Sequence, residues 1–166
     1  MVKANLIVRR ARPVDAEPIA QLLVDATQGR LRVDELDVIE RLGSRGYFVA
    51  NTDKLVGLAG WTAENLVARI EDFIVHPPEM RPIAGRELLN QIEDAAAQLE
   101  CEAALLLVPR SVSEAAVKFY ESCGYGFKHL SEMPMAWRDS AQEVISEDLI
   151  VMVKQLRAQL VGVPIG

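Results

Sequence analysis

Two carboxylates and a histidine lie within one mainly apolar stretch of the chain, Val67 to His76. Strand alternation places Val67, Arg69, Glu71, Phe73 and Val75 on one face and Ala68, Ile70, Asp72 and Ile74 on the other. Glu71 and Asp72 therefore point opposite ways, and at most one of them can face a cleft. His76, just past the strand, is a third base candidate. After His76-Pro77-Pro78 the chain turns and enters a helix at Gly85. A loop of backbone N–H groups running into a helix N-terminus can seat an anion, because the first turn leaves donors unsatisfied and carries partial positive charge. Cys101 and Cys123 have neither C-x-x-C spacing nor a set of histidine partners, so no metal site and no disulfide framework is expected.

The surrounding pattern supplies the elements that must hold these residues. Leu6 to Arg10 reads as a strand. Asp15 offers a cap to a first helix with Ile19, Leu22, Leu23 and Ala26 at helical spacing and Pro18 in its first turn. Asp34 caps a second helix carrying Leu36, Ile39 and Leu42 and stopped by Gly43. Tyr47 to Ala50 and Leu55 to Trp61 form a hairpin around Asn51-Thr-Asp-Lys54. The helix after Gly85 shows one stripe of Leu88, Leu89, Ile92, Ala95, Ala96 and Leu99. Ala104 to Val108 reads as an inner strand parallel to Val67–Val75 across that helix. Ser113 caps a further helix bearing Ala116, Phe119 and Tyr120 and ended by Gly124, and Gly126–Leu130 with Met133–Trp137 make a closing hairpin.

In the last segment, Ile145, Leu149, Met152, Val153, Leu156 and Leu160 share one helical arc behind a capping box, Ser140-x-x-Glu143. This pattern predicts a helix over 141–160. Ile150 and Val151 fall outside the arc, and an exposed apolar pair suggests a second packing partner and hence a homodimer.

The chain has 166 residues, half of them apolar, and 18 basic against 24 acidic side chains give a net charge of −6. That is enough for one domain with its own core over 1–166. The acidic balance, with no basic stripe beyond Arg9-Arg10-Ala-Arg12, argues against a nucleic-acid binder. No apolar run reaches the roughly 18 residues of a membrane span, and the first residues lack the pattern of a leader, so a cytoplasmic protein is expected.

The stretch from Ile70 to Tyr125 resembles the GNAT N-acetyltransferase superfamily. The matching pieces are Val75-x-Pro77 at the end of the long strand, the loop ending at Gly85, Arg86-Glu-Leu-Leu89, and Ala116-Val-Lys-Phe-Tyr-Glu-Ser-Cys-Gly-Tyr125. The resemblance covers about residues 6 to 138. It implies an α/β (α+β) fold: a mixed, mostly antiparallel sheet of six to seven strands with strands four and five parallel and splayed, and helices on both faces. The helix 141–160 would be an addition.

The resemblance further implies acetyl-CoA as cosubstrate. Its pantetheine arm would pair with the backbone of Phe73, Ile74 and Val75, and its pyrophosphate would lie on the turn Arg81, Pro82, Ile83, Ala84, Gly85 and Arg86, with Ser113 at another cofactor-contact position. Tyr120 matches the tyrosine that protonates the departing thiolate. Glu71 is the preferred carboxylate for accepting the proton of a small-molecule or peptide amine. The turn departs from the family pattern: Ile83 or Ala84 stands at the central glycine, according to register, and Pro82 removes a donor. The alternative is a non-catalytic acyl-CoA-binding or protein-interaction module that keeps the fold.

Overall fold

The computed structural model describes residues 5–158. Among them seven strands form one mixed sheet in the order β1-β2-β3-β4-β5-β7-β6. The strands are β1 (Ile7–Arg10), β2 (Gly46–Asn51), β3 (Leu55–Glu64), β4 (Val67–Val75), β5 (Ala103–Pro109), β6 (Gly126–Phe127) and β7 (Leu149–Gln155). Five α-helices accompany them: α1 (Ala16–Ala26), α2 (Glu35–Ser44), α3 (Arg86–Gln98), α4 (Glu114–Ser122) and α5 (Met135–Val144). The chain forms two compact units. The first runs up to Trp61 and includes Asp72–Ile92, and the second comprises Thr62–Glu71 and the chain from Glu93 onward. No helix among the described residues is long and apolar enough to cross a membrane.

In the first unit the hairpin expected around Asn51-Thr-Asp-Lys54 forms, with Val49 opposite Leu58 and Ala50 opposite Gly57. Side chains alternate across the sheet, so these two pairs serve opposite faces. Ile19, Leu22 and Leu23 of α1 and Val38 of α2 pack with Tyr47, Val49 and Leu58 on one face. On the other, Leu88 of α3 lies so close that a Cβ on Gly57 would stand 2.8 Å from its Cδ1. Asp34 caps α2 as expected, accepting from Asp37 N at 2.9 Å, and Asp37 returns a bond to Asp34 N at 3.3 Å.

Three local expectations are corrected. Asp15 makes no side-chain cap on α1; its carboxylate takes both Arg9 guanidinium nitrogens at 2.8 Å and Arg12 N at 2.7 Å. Leu36 and Ile39 face outward, because α2 turns Val38 inward, and Gly43 lies inside the helix rather than ending it. Leu99 is exposed beyond the end of α3.

In the second unit β5 runs parallel to β4, from Val67 opposite Ala103 to Ile70 opposite Leu106, while β4 itself continues to Val75. Gly124 follows α4 at φ +97°, the left-handed backbone that ends a helix readily only at glycine. The largest correction concerns the C-terminal part. Met133–Trp137 is not a hairpin arm and residues 141–160 are not a helix: α5 covers Met135–Val144 and β7 covers Leu149–Gln155. Residues 159 and 160 of that expected helix lie outside the described residues.

The reason is tertiary. β7 pairs along the whole of β5, from Ala103 opposite Gln155 to Pro109 opposite Leu149, which satisfies a strand edge that a helix would leave unpaired. Trp137 and Ala141 of α5 then bury against Val67, Leu105, Val151 and Val153. Val151 is buried in β7 and Ile150 half-buried, so the exposed apolar pair expected on a helix does not form.

Candidate active site

The first unit contains a small, partly enclosed pocket of about 50 Å³ between α1, α2 and strands β2 to β4. Ile19, Leu23, Val38, Leu42, Leu58 and Ile74 form most of its wall. The polar groups that line it are on Tyr47, Arg41 and Asp72.

Asp72 sits at φ +54°, a left-handed backbone that a non-glycine residue adopts only when its surroundings impose it, and such positions gather at functional sites. Three donors converge on its Oδ2. The Tyr47 hydroxyl donates at 2.5 Å, Arg41 Nη1 donates at 3.1 Å, and Arg45 Nη1 stands at 3.8 Å. Burial pushes the Tyr47 hydroxyl above its usual range and the hydrogen bond to Asp72 pushes it further, so Tyr47 stays a protonated donor at any ordinary pH. The charge of Asp72 likewise keeps Arg41 firmly protonated, outweighing partial desolvation.

Immediately after Asp72, Phe73, Ile74 and Val75 finish β4, with Ile74 lining the pocket and Val75 buried. His76 is half-buried and donates its backbone N–H to Val56 O at 2.9 Å. The connection to α3 is wound rather than open: a single 3-10 turn, Pro78–Met80, leads into a π-helical turn, Arg81–Gly85, and then into α3 without a break. Inside it Arg81 N donates to Pro78 O and Arg86 N to Arg81 O, while Pro82 has no donor. Ala84 and Gly85 are buried, Pro82, Ile83 and Arg86 are exposed, and Arg81 is half-exposed.

The remaining expected residues lie in the second unit. Glu71 is half-buried on β4. Ser113 caps α4, its hydroxyl accepting from Ala116 N at 3.2 Å. Tyr120 is buried on α4 with its ring 5.7 Å from that of Phe119, tilted by 60°.

The structure thus gathers Phe73 to Val75 and the Arg81–Arg86 turn in one unit, and Glu71, Ser113 and Tyr120 in the other. In the sequence Asp72 is only the less favoured neighbour of Glu71, and Tyr47 and Arg41 read as parts of a strand and a helix. A signal was present, since Asp72 is the single charged residue on an otherwise apolar strand face of Ala68, Ile70 and Ile74.

Known structures share this fold. The ribosomal-protein-S18-alanine N-acetyltransferase of Escherichia coli is 19% identical with a TM-score of 0.69, over 96% of this chain and 99% of that one. A putative acetyltransferase of Salmonella typhimurium, yncA, solved with acetyl-CoA, is 18% identical with a TM-score of 0.65, over 93% and 95% of the two chains. N-acetylglutamate synthase of Neisseria gonorrhoeae, in complex with coenzyme A and N-acetyl-glutamate, is 20% identical with a TM-score of 0.67, over 94% of this chain but 36% of that one. No curated protein matches the sequence. The model of the acetyltransferase (GNAT) family matches residues 16–125, more than half of the chain, and the protein belongs to that family.

Proposed function

We propose that the protein is an N-acetyltransferase that moves the acetyl group of acetyl-CoA to a primary amine by direct attack. The observation that carries the reading is the course of β4, which continues to Val75 past the last residue paired with β5, Ile70, and then feeds a wound turn into the N-terminus of α3. Backbone groups of Phe73, Ile74 and Val75 orient the thioester arm. The exposed Arg86 and half-exposed Arg81 flank the helix entrance and suit a pyrophosphate, with Ile83, Ala84 and Gly85 supplying close backbone approach.

In the reaction the amine nitrogen attacks the thioester carbonyl, the C–S bond breaks and CoA leaves as a thiolate. Glu71, or a water it orders, takes the proton of the ammonium, and Tyr120 donates its phenolic proton to the thiolate. Self-association as a homodimer belongs to the same reading and is supported by Phe127, 54% exposed on the outermost strand β6.

The donors spent inside the turn, together with Pro82, favour a second reading: a module that binds acyl-CoA or a protein without turnover. Calorimetric titration and thermal melting with acetyl-CoA separate the two when paired with a thiol-release assay on a panel of amines. At a hundred times its dissociation constant acetyl-CoA is expected to stabilise the fold by about 2.7 kcal/mol. Arg86→Ala is expected to weaken binding by about tenfold, the loss of one charge-assisted phosphate contact. Tyr120→Phe is expected to lower kcat by roughly a hundredfold, within the range of general-acid contributions. Binding without thiol release on any amine supports the second reading, and unchanged kcat in Tyr120→Phe removes that residue from the mechanism.

A further inference from the structure

The C-terminal end of α4 is closed by a motif that reaches Tyr120 directly. Gly124 N donates to Glu121 O at 3.0 Å and Tyr125 N donates to Tyr120 O at 3.1 Å, the paired bonds that finish a helix when a glycine takes the left-handed backbone. Tyr125 therefore grips the main chain of Tyr120. Its own side chain is buried and anchored elsewhere in the second unit: the hydroxyl donates to Glu93 Oε2 of α3 at 2.9 Å, and Glu93 Oε1 takes the Lys154 ammonium of β7 at 2.6 Å. Lys154 crosses the face of the Tyr125 ring on its way, with Nζ 5.7 Å from the centroid, within reach of a cation–π contact. Its stem also passes over Gly124, where a Cβ would stand 3.1 Å from Lys154 Cε. Glycine thus serves twice at that position, for the backbone angle and for the passage of the lysine.

A phenylalanine at 125 would fill the same space, so the hydroxyl adds direction rather than packing. The Glu93 carboxylate is mostly buried and bound on both oxygens, and it cannot turn from either donor without leaving a buried polar group unpaired. Resting on the reading of Tyr120 as the general acid, we propose that Tyr125, Glu93 and Lys154 are positioning residues for proton delivery. They tie the end of α4 to α3 and β7 and so fix where the Tyr120 hydroxyl meets the departing thiolate. They act through the main chain of Tyr120 and not on the substrates.

The test is a double-mutant cycle, read by single-turnover thiol release from acetyl-CoA by the full chain, with phenethylamine, putrescine and alanine amide as acceptors. Tyr125→Phe keeps the ring and the backbone N–H and removes only the hydroxyl. It is expected to slow acetyl transfer by about tenfold, as a small misplacement of a reacting group does, with the acetyl-CoA dissociation constant unchanged. In a Tyr120→Phe background the same substitution is expected to have no further effect, since the placing of a ring without a hydroxyl no longer matters to the proton. Glu93→Ala removes the anchor from the α3 side and lets Lys154, 29% exposed, turn to water; it is expected to repeat both results. If Tyr120→Phe is slow while Tyr125→Phe and Glu93→Ala run at the wild-type rate, or if their losses persist in the Tyr120→Phe background, this proposal alone is overturned. A Tyr120→Phe variant as fast as wild type removes Tyr120 from the mechanism and its positioning residues with it. If no amine is acetylated although acetyl-CoA binds, the acetyltransferase reading itself falls.

Discussion

The two carboxylates whose settings are best defined, Asp15 and Asp72, are both held by arginine yet serve different ends. Asp15 is 6% exposed and is clamped by both guanidinium nitrogens of Arg9 and by Arg12 N. The bond from Arg9 holds its carboxyl below the ordinary value of 3.8, with desolvation opposing. A carboxyl whose folded pKa is depressed stabilises the fold fully above its unfolded value and loses that contribution as pH falls through the folded one. Asp15→Asn is therefore expected to destabilise the protein at neutral pH by about 2 kcal/mol, the size of a charge-assisted hydrogen bond. The gap between variant and wild type should close as the pH drops below 3.8, read by urea unfolding at a series of pH values. Asp72, by contrast, sits at a strained backbone angle on the wall of a pocket, where its arginine and tyrosine partners aim it rather than bury it.

At the scale of elements, the pairing of β2 with β3 shows how a residue without a side chain governs one with function. A Cβ on Gly60 would lie 2.6 Å from Cε1 and 2.9 Å from Cζ of Tyr47, the residue opposite it in the ladder. A ring cannot yield as a flexible side-chain end can, so Gly60→Ala must push Tyr47 aside and carry its hydroxyl away from Asp72. The expected cost is about 1–3 kcal/mol in denaturant unfolding, the range for overpacking. The caps at Asp34 and Ser113 were legible in the sequence because each depends on a side chain and an N–H three residues on. The inward face of α2 was not, since Val38 with Leu42 and Leu36 with Ile39 offer two apolar stripes, and only the position of α1 decides which is covered.

Over the whole molecule, β7 is the element that separates the sequence reading from the fold. Were residues 141–160 an added helix, removing the chain from Ser146 onward would leave the sheet intact. As β7 covers the full length of β5 and contributes Val151 and Val153 to the cluster around Trp137, that truncation is expected to give an insoluble or unfolded chain, checked by soluble yield and circular dichroism. The sequence by itself determined the family, the hairpin of β2 and β3, the parallel pair β4 and β5 and the turn into α3. These rest on local spacing, on turn chemistry and on the motif from Val75 to Tyr125, all of which are written in consecutive residues. Tertiary structure alone decided that Leu149–Gln155 is a strand, because its apolar residues fit a helical arc and an alternating face equally well and only the open edge of β5 breaks the tie. It also decided that Asp72 joins Tyr47 and Arg41, residues 25 and 31 positions away in the chain, since a hydrogen bond across a sheet leaves no mark in the spacing of either partner.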